Sequence, residues 1–477
     1  MSLHRNGNLG RVPLHTWLPT LATLYALAVA TLQFSHAITT PQMLTLLIGP
    51  VLALLAVLRP AWPVLIILAA PPVLLSGSGV ALRDLTLLLL VIIATSLLTR
   101  GGLIMDWRSP LIPFALLLIG AAVFQSEVGP LAAATTTSVL QSFIYFGLMG
   151  FSTYCLALYR ELTLKQLEWA IVISATGTAL ILLFLSGFSI NTLLANYLGS
   201  EGTQSFEIYR THFGMLMVMG LGIALTRPFH TDGVKWRQRF GVADIALVAF
   251  LVAMTAFSFT RAAWLCAAVV AALISLRTSH KAYAFIPLLI ACGVLLVPVF
   301  NERAFADLEG GLQQAAASGR LGSGRWGLWN LLWDRVIEVF PSGHGFGYVW
   351  TLSSRELFGL ADVFVTAQNP LVYPHNDFLF WLLELGAAGV ALYLLFWTGL
   401  LRRWANLSRH PSPVAKKTSL VLGTTLIAML IGEIFDNALF MRPIAERFFA
   451  VAGFLIGTAV LLGDAQDDQR AGAGRRP

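Results

Sequence analysis

The chain has 477 residues, of which 57% are hydrophobic and 12% charged, with a mean hydropathy of +0.75. This composition excludes an ordinary soluble protein, because such a protein carries far more charge on its surface. Repeated apolar runs of about 17–25 residues, bounded by charge, Pro or Gly, match the length that a helix needs to cross a bilayer. We therefore predict an all-α polytopic integral membrane protein.

The net charge of +7 does not indicate a nucleic acid partner, because the basic residues lie between the apolar runs and form no basic domain. Cys155, Cys266 and Cys292 lie in predicted spans without ligand spacing, so we expect neither a disulfide framework nor a metal site. No Walker-type motif occurs, and we expect no cofactor.

The apolar runs predict 12–14 transmembrane helices. The candidate spans lie near 15–36, 43–58, 61–77, 85–99, 110–126, 132–158, 168–188, 211–226, 241–258, 262–276, 283–300, 376–400, 418–435 and 444–463. The pair at 43–77 could instead be a broken or re-entrant element, because Pro60 and Pro63 interrupt it. We divide the chain into N-terminal helices (1–200), a core (201–400), and C-terminal helices with a short cytoplasmic tail (401–477).

The distribution of Lys and Arg predicts the orientation. If the spans alternate and both termini are cytoplasmic, 21 of the 31 Lys and Arg residues, including all five Lys, lie in the cytoplasm. The outer face then carries only Arg, although it holds the long loop 301–375. This bias agrees with the positive-inside rule.

The long outer loop contains two distinct segments. Residues 326–340 place three Trp among aliphatic residues over about four turns, which predicts an interfacial helix on the membrane surface. Gly343, Gly345 and Gly347 then predict a tight turn. A Gly-rich turn could cradle a phosphate, although no Lys-Ser/Thr pair follows it here.

The loop ends in Pro374-His375-Asn376-Asp377, which places a histidine at the mouth of the next apolar helix. The unperturbed pKa of histidine lies close to neutrality, so His375 is a candidate for proton transfer. A structural interpretation is that Asn376 or Asp377 simply holds it there. Glu384 lies on the opposite face of the predicted helix, and we do not expect it to contact His375.

Arginines near the outer helix ends suit phosphate binding, because guanidinium offers a planar fork of donors. Arg210, Arg261 and Arg442 lie at such positions, although each could instead snorkel or pair with a carboxylate. Glu433 and Asp436 share a helix face just before Arg442. We interpret these three as a local ion-pair cluster.

Four motifs occur in order on the predicted outer side. They are Arg210 before a span; Phe257-Ser-Phe-Thr-Arg261-Ala-Ala-Trp264; Arg325-x3-Trp329 with Pro341-x-Gly343-x-Gly345-x-Gly347; and Pro374-His375-Asn376 with Glu384-x-Gly386 and Gly389. Together they resemble the O-antigen ligase and O-antigen polymerase family of bacterial membrane glycosyltransferases. The resemblance covers roughly residues 205–400, and the motif at Arg261 departs from the family's Ser-Arg-Gly-Ala pattern.

The resemblance implies an inverting, metal-independent transfer of a glycan from undecaprenyl diphosphate to a hydroxyl acceptor. The reaction would take place on the periplasmic side of the bacterial inner membrane. The implied partners are the lipid-linked glycan, a glycan or lipid A–core acceptor, and membrane lipids. By resemblance and chemistry we expect His375 and Arg261 to be catalytic, and substrate to be bound by Arg210, Arg325, Asn376 and Arg442. His375 could deprotonate the acceptor or donate to a diphosphate oxygen.

The acceptor separates the two activities of the family. A ligase uses lipid A–core, whereas a polymerase extends a glycan that is still on its lipid. We expect a ligase, because the His-Asn element and the Arg-containing loop look more ligase-like. An O-antigen or exopolysaccharide polymerase, a protein O-oligosaccharyltransferase and a glycolipid transporter are the alternatives. A transporter should carry coupling carboxylates near mid-membrane, whereas the ionisable residues here gather at the outer boundary.

Overall fold

The computed structural model describes residues 51–72, 79–99, 109–126, 130–189, 192, 210–231, 236–238, 241–258, 260–278, 325–352 and 374–473. The helices, in chain order, are α1 (Ala61–Ala69), α2 (Gly79–Thr99), α3 (Leu111–Val123), α4 (Pro130–Leu158), α5 (Leu164–Leu185), α6 (Arg210–Thr226), α7 (Val242–Phe257), α8 (Arg261–Thr278), α9 (Arg325–Val339), α10 (Asp377–Arg409), α11 (Pro413–Phe435) and α12 (Arg442–Ala473). Within these ranges, six helices are long and apolar enough to cross a membrane, namely α4, α5, α8, α10, α11 and α12. The prediction of a polytopic all-α membrane protein is confirmed.

Ten predicted spans coincide with helices α2–α8 and α10–α12. The predicted spans 15–36 and 283–300 lie outside the described residues. The interruption predicted at Pro60 is present, because it separates the helical residues 51–58 from α1.

Helix α1 has nine residues, so it is about 14 Å long and too short to cross a bilayer. Its C-terminal carbonyl groups are held by Arg447 of α12, whose side chain is fully buried. The Arg447 Nη2 donates to the carbonyl oxygens of Leu68 and Ala70, at 3.0 and 2.8 Å, and to Ser174 Oγ at 2.6 Å. The guanidinium therefore satisfies backbone groups that water cannot reach.

Helices α4 and α12 pack more extensively against each other than any other described pair. Their contact depends on Gly453 and Gly457 of α12. A Cβ at Gly453 would lie 2.0 Å from the Gly150 carbonyl oxygen, and one at Gly457 would lie 2.5 Å from that of Tyr154. This is the small-x3-small spacing that lets two membrane helices approach closely.

Helix α6 packs against α5, α7, α8 and α11. Near its start, Gly214 faces Ala263 of α8, since a Cβ added there would lie 2.8 Å from the Ala263 Cβ. The next residue, Met215, lies against Gly432 near the end of α11. The N-terminal ends of α6 and α8 and the C-terminal end of α11 therefore lie at the same end of the bundle. After α6, the short strands β1 (Phe229–Thr231) and β2 (Trp236–Gln238) form an antiparallel hairpin.

Helix α9 confirms the helix predicted in the long loop. It is amphipathic, because Leu328, Leu332 and Val336 are buried whereas Trp326 and Trp333 are exposed. Its contact with a membrane surface stays a prediction.

Candidate functional site

Helix α10 is broken at Gly386, whose backbone has φ 66° and ψ −152°. The segment 341–347, which follows α9, crosses the break. The Ala387 N–H donates to the Pro341 carbonyl oxygen at 2.9 Å, and the Gly345 N–H donates to that of Glu384 at 2.8 Å. The loop thus replaces helix hydrogen bonds that the break removes.

The carboxylate of Glu384 is fully buried beside this break. It accepts hydrogen bonds from the backbone N–H groups of Gly347 and Val349, the latter at 2.8 Å. The expectation that Glu384 does not contact His375 directly agrees with these partners. The N–H groups of residues 344–347 donate to protein acceptors, so the phosphate-cradle interpretation of this loop is wrong.

His375 contacts an acidic residue from another helix. Its Nδ1 lies 2.8 Å from Oδ1 of Asp436, and Nη2 of Arg325 lies 3.4 Å from Oδ2 of the same carboxylate. His375 immediately precedes α10, Asp436 caps the C-terminus of α11, and Arg325 begins α9. The ends of three helices therefore meet around one carboxylate.

The Asp436 carboxylate is held in its ionised form. Burial on its own would raise the pKa of Asp436. The hydrogen bond from His375 and the charges of His375 and Arg325 outweigh burial and lower this pKa from 3.8 to about 2. Because an ionised carboxylate can only accept, the Nδ1 atom of His375 carries the hydrogen of their bond.

These contacts correct the ion-pair cluster that we interpreted from the sequence. Asp436 pairs with His375 and Arg325, whereas Glu433 accepts a hydrogen bond from Trp397 Nε1 at 2.6 Å. The two acidic residues are only three positions apart, but Asp436 lies beyond the last turn of α11 and can face the loop residues.

Asn376 is the N-cap of α10. Its Oδ1 accepts from the Leu379 N–H at 2.8 Å, and its Nδ2 donates to the Ile434 carbonyl oxygen at 3.0 Å. On the other side of His375, the Trp329 Nε1 of α9 donates to the Pro374 carbonyl oxygen at 2.7 Å. The residues flanking His375 are thus tied to α11 and α9.

Arg261 and Arg210 are the first residues of α8 and α6, at the end of the bundle that holds His375. His212 of α6 lies close enough to Asp436 to interact with its charge. The structure therefore brings the helix starts of Arg210 and Arg261 to the same end as the His375–Asp436 pair.

Arg442 begins α12 and makes different contacts. Its Nε donates to Glu446 Oε1 at 2.7 Å, and its Nη2 donates to Thr86 Oγ1 at 3.1 Å. Its guanidinium also lies over the ring of Tyr145, 4.8 Å from the centroid. These partners belong to α12, α2 and α4 rather than to the elements around Asp436.

Part of the chain is similar to a known protein family. A family model described as O-Antigen ligase matches residues 246–394. This segment of 149 of the 477 residues is therefore similar to the O-antigen ligase family. Enzymes of this family transfer lipid-linked glycans. No curated protein matches the chain significantly.

The segment that matches this family begins within α7 and ends within α10, and it includes Arg261, Arg325, His375 and Asn376. Asp436 lies outside it, 61 residues after His375. Sequence reasoning missed their contact. The only available signal was an acidic residue at a helix end predicted to lie on the same side of the membrane.

Proposed function

We propose that this protein transfers a glycan from undecaprenyl diphosphate to a hydroxyl acceptor, and that it acts as an O-antigen ligase with lipid A–core as the acceptor. The observation that carries this proposal is the 2.8 Å contact between His375 and Asp436 beside Arg325. This contact gives the site a histidine whose ring is oriented by a carboxylate. The O-antigen ligase domain supports glycan transfer as the reaction class.

In this proposal His375 is the general base. The ionised Asp436 accepts from Nδ1–H, so in the neutral ring Nε2 carries the lone pair. The same arrangement holds a catalytic histidine in one tautomer in hydrolases. Nε2 would take the proton of the acceptor hydroxyl, and Asp436 would stabilise the imidazolium that forms. Because Nε2 then has a lone pair and no hydrogen, it can accept the acceptor's proton but cannot donate to a diphosphate oxygen. We therefore propose that His375 activates the acceptor.

The transfer itself forms one bond and breaks another. The deprotonated acceptor oxygen attacks the anomeric carbon of the donor, from the face opposite the diphosphate, so the configuration inverts. The bond between that carbon and the diphosphate oxygen breaks, and undecaprenyl diphosphate leaves with the electron pair. The proton stays on His375 until it is released to water on the periplasmic side.

The leaving diphosphate gains negative charge that fixed cations can stabilise. We propose Arg261 and Arg210 for this role, because their helices begin at the end of the bundle that holds His375. Arg325 has one side-chain contact to Asp436 at 3.4 Å and is about a quarter exposed. Its guanidinium carries further N–H groups, which in this proposal bind a phosphate oxygen.

For Asn376 and Arg442 the contacts favour a supporting part in substrate binding. Both polar side-chain atoms of Asn376 bond to protein groups, which places it as the cap that fixes the start of α10. Arg442 is paired with Glu446 beside α2 and α4. We propose that these two residues shape the edge of the site and do not contact the diphosphate directly.

The test of this function is glycan transfer in vesicles that contain the purified protein, a lipid-diphosphate-linked glycan and lipid A–core. We expect the wild type to form glycosylated lipid A–core, and His375→Ala and Arg261→Ala to lose at least about 100-fold in rate. Arg335→Ala is the control, because this residue of α9 forms an exposed ion pair with Glu338. Wild-type rates in both site variants would contradict the proposed site.

Two further acceptors distinguish the ligase from its alternatives. Replacing lipid A–core by a second lipid-linked glycan tests polymerase activity, and a Ser-containing acceptor protein tests protein glycosylation. In cells, loss of a ligase should leave long polymer on undecaprenyl diphosphate, whereas loss of a polymerase should leave single repeats on the final acceptor. Product formed only on the second lipid-linked glycan would make the protein a polymerase.

A further inference from the structure

His375 has a backbone conformation that side chains rarely adopt. Its φ is 51°, in the left-handed region, and it stands between Pro374 and the helix cap Asn376. A non-glycine residue keeps such a conformation only where its surroundings fix it, and such residues cluster at functional sites. The groups that fix the His375 backbone therefore determine where its imidazole lies.

The side chain of Asn437, which is 4% exposed, holds this backbone. Its Oδ1 accepts a hydrogen bond from the backbone N–H of His375. Its Nδ2 donates to Asp377 Oδ1 at 3.0 Å, and its own backbone N–H donates to Asp436 Oδ1 at 2.9 Å. Asn437 thus contacts both the backbone of His375 and the Asp436 carboxylate that orients its imidazole.

Asp377 fixes Asn437 in turn. It is the first residue of α10, its side chain is fully buried, and its Oδ2 accepts from the Leu439 N–H at 3.0 Å. One carboxylate therefore holds both the amide of Asn437 and the turn that follows it. One amide and one carboxylate satisfy all of these bonds, because the Asn437 amide accepts from His375 and donates to Asp377, whereas the Asp377 carboxylate only accepts.

We infer that Asn437 and Asp377 are positioning residues for His375, which keep its backbone left-handed and its imidazole against Asp436. This inference rests on the proposed catalytic function of His375. It concerns two residues that touch neither the acceptor nor the diphosphate in the proposed reaction. They act through the bond from Asn437 to the His375 backbone.

The bonding pattern allows a reciprocal exchange of the two side chains. In the double variant Asp377→Asn/Asn437→Asp, the new Asp could accept from both His375 and the Nδ2 of the new Asn. The Oδ1 of that Asn could still accept from Leu439. The exchange keeps the net charge and the side-chain volumes. Each single variant instead loses one hydrogen bond. Asn437→Asp places two carboxylates against each other, and Asp377→Asn places two amides against each other.

The experiment measures kcat and the donor KM of both single variants and of the double variant in the vesicle assay, together with folded yield. We expect each single variant to lower kcat about 10- to 100-fold with the donor KM within about twofold. The double variant should recover to within about fivefold of wild-type kcat. Asn437→Ala, which breaks the bonds without adding charge, should resemble the single variants.

Three outcomes would overturn the inference. In the first, the single variants keep the wild-type kcat. In the second, the double variant folds but is no more active than the single variants. In the third, the single variants do not fold, and combining them in the double variant restores neither folding nor activity. His375→Ala provides the separate control on the proposed function. If His375→Ala keeps its activity, the proposed function itself fails; if only the Asn437 and Asp377 variants keep theirs, the positioning inference alone fails.

Discussion

The contact between His375 and Asp436 determines which protonation states the site can use. The two residues are 61 positions apart and meet because one precedes α10 and the other ends α11, helices that pack side by side. The histidine was predicted from its place before an apolar helix. Its partner was not predicted, because nothing in the local sequence distinguishes a carboxylate that faces His375 from one that faces Arg442.

Replacing Asp436 by Asn should slow the reaction without weakening donor binding. An Asn side chain is neutral and can present its amide to Nδ1, which would leave the imidazole in the wrong tautomer and its charged form less stable. We expect kcat to fall about 100-fold and the donor KM to change by less than about threefold. Steady-state rates in vesicles check this, and an unchanged kcat would contradict the role of Asp436.

The lowered pKa of Asp436 predicts how stability depends on pH. Folding lowers this pKa from 3.8 to about 2, so the Asp436 carboxylate contributes to the free energy of unfolding. This contribution is complete above about pH 4 and is lost as the pH falls through 2. The contribution is on the order of 2 kcal/mol. We expect the unfolding midpoint of purified protein to drop between pH 4 and 2 by more in the wild type than in Asp436→Asn. Equal pH dependence in both proteins would refute this assignment.

At the scale of elements, the most important departure from a regular helix is the break in α10. The loop from Pro341 to Gly347 is pressed against Gly386, since a Cβ at Gly386 would lie 2.1 Å from the Pro341 carbonyl oxygen. The backbone approach and the left-handed φ both require glycine at this position. The break sets the positions of Glu384 and of the loop amides that it binds.

Gly386→Ala should therefore destabilise the protein strongly, and Gly187 provides a matched control. Gly187 also has a left-handed φ, of 62°, but a Cβ there would meet nothing within 4 Å. Gly187→Ala should cost about 1 kcal/mol, whereas Gly386→Ala should cost at least about 3 kcal/mol, because backbone atoms must move. Thermal unfolding in detergent measures both, and equal shifts would show that the loop does not constrain Gly386.

The helices were predictable from the sequence, whereas this break was not. Apolar runs of sufficient length predict a span whatever their neighbours are, which is why α4, α5 and α10–α12 coincide with predicted spans. Glu384 and Gly386 lie inside such a run, and a helix can continue through both residues. The partner that makes the break stable is a loop about forty residues earlier in the sequence, and local patterns carry no information on that contact.

For the whole molecule, the charged residues inside the bundle connect helices that are distant in sequence. Arg447 joins α12 to the end of the short helix α1 and to Ser174 of α5. Arg442, one turn earlier, joins α12 to α2. The positive-inside rule predicts orientation from such charges, but it does not distinguish a structural arginine from one that binds substrate.

Arg447→Met should destabilise the bundle more than Arg442→Met. Arg447 is fully buried and its loss leaves the carbonyl groups of Leu68 and Ala70 and the Glu446 carboxylate without this donor. The Arg442 side chain is about one-third exposed, so water can replace part of its contacts. We expect a loss of about 3 kcal/mol or more for Arg447→Met and about 1 kcal/mol for Arg442→Met. Thermal midpoints of both variants decide this, and the reverse order would contradict it.

The loop that crosses the break in α10 also has a consequence for how the protein is made. Residues 341–349 leave the ribosome before α10 does, and they include the amides of Gly347 and Val349 that Glu384 binds. The second half of α10 cannot reach its final position until this earlier segment folds against the break. For this helix an apolar run of sufficient length is thus not enough, because its final shape also depends on the folding of the preceding loop.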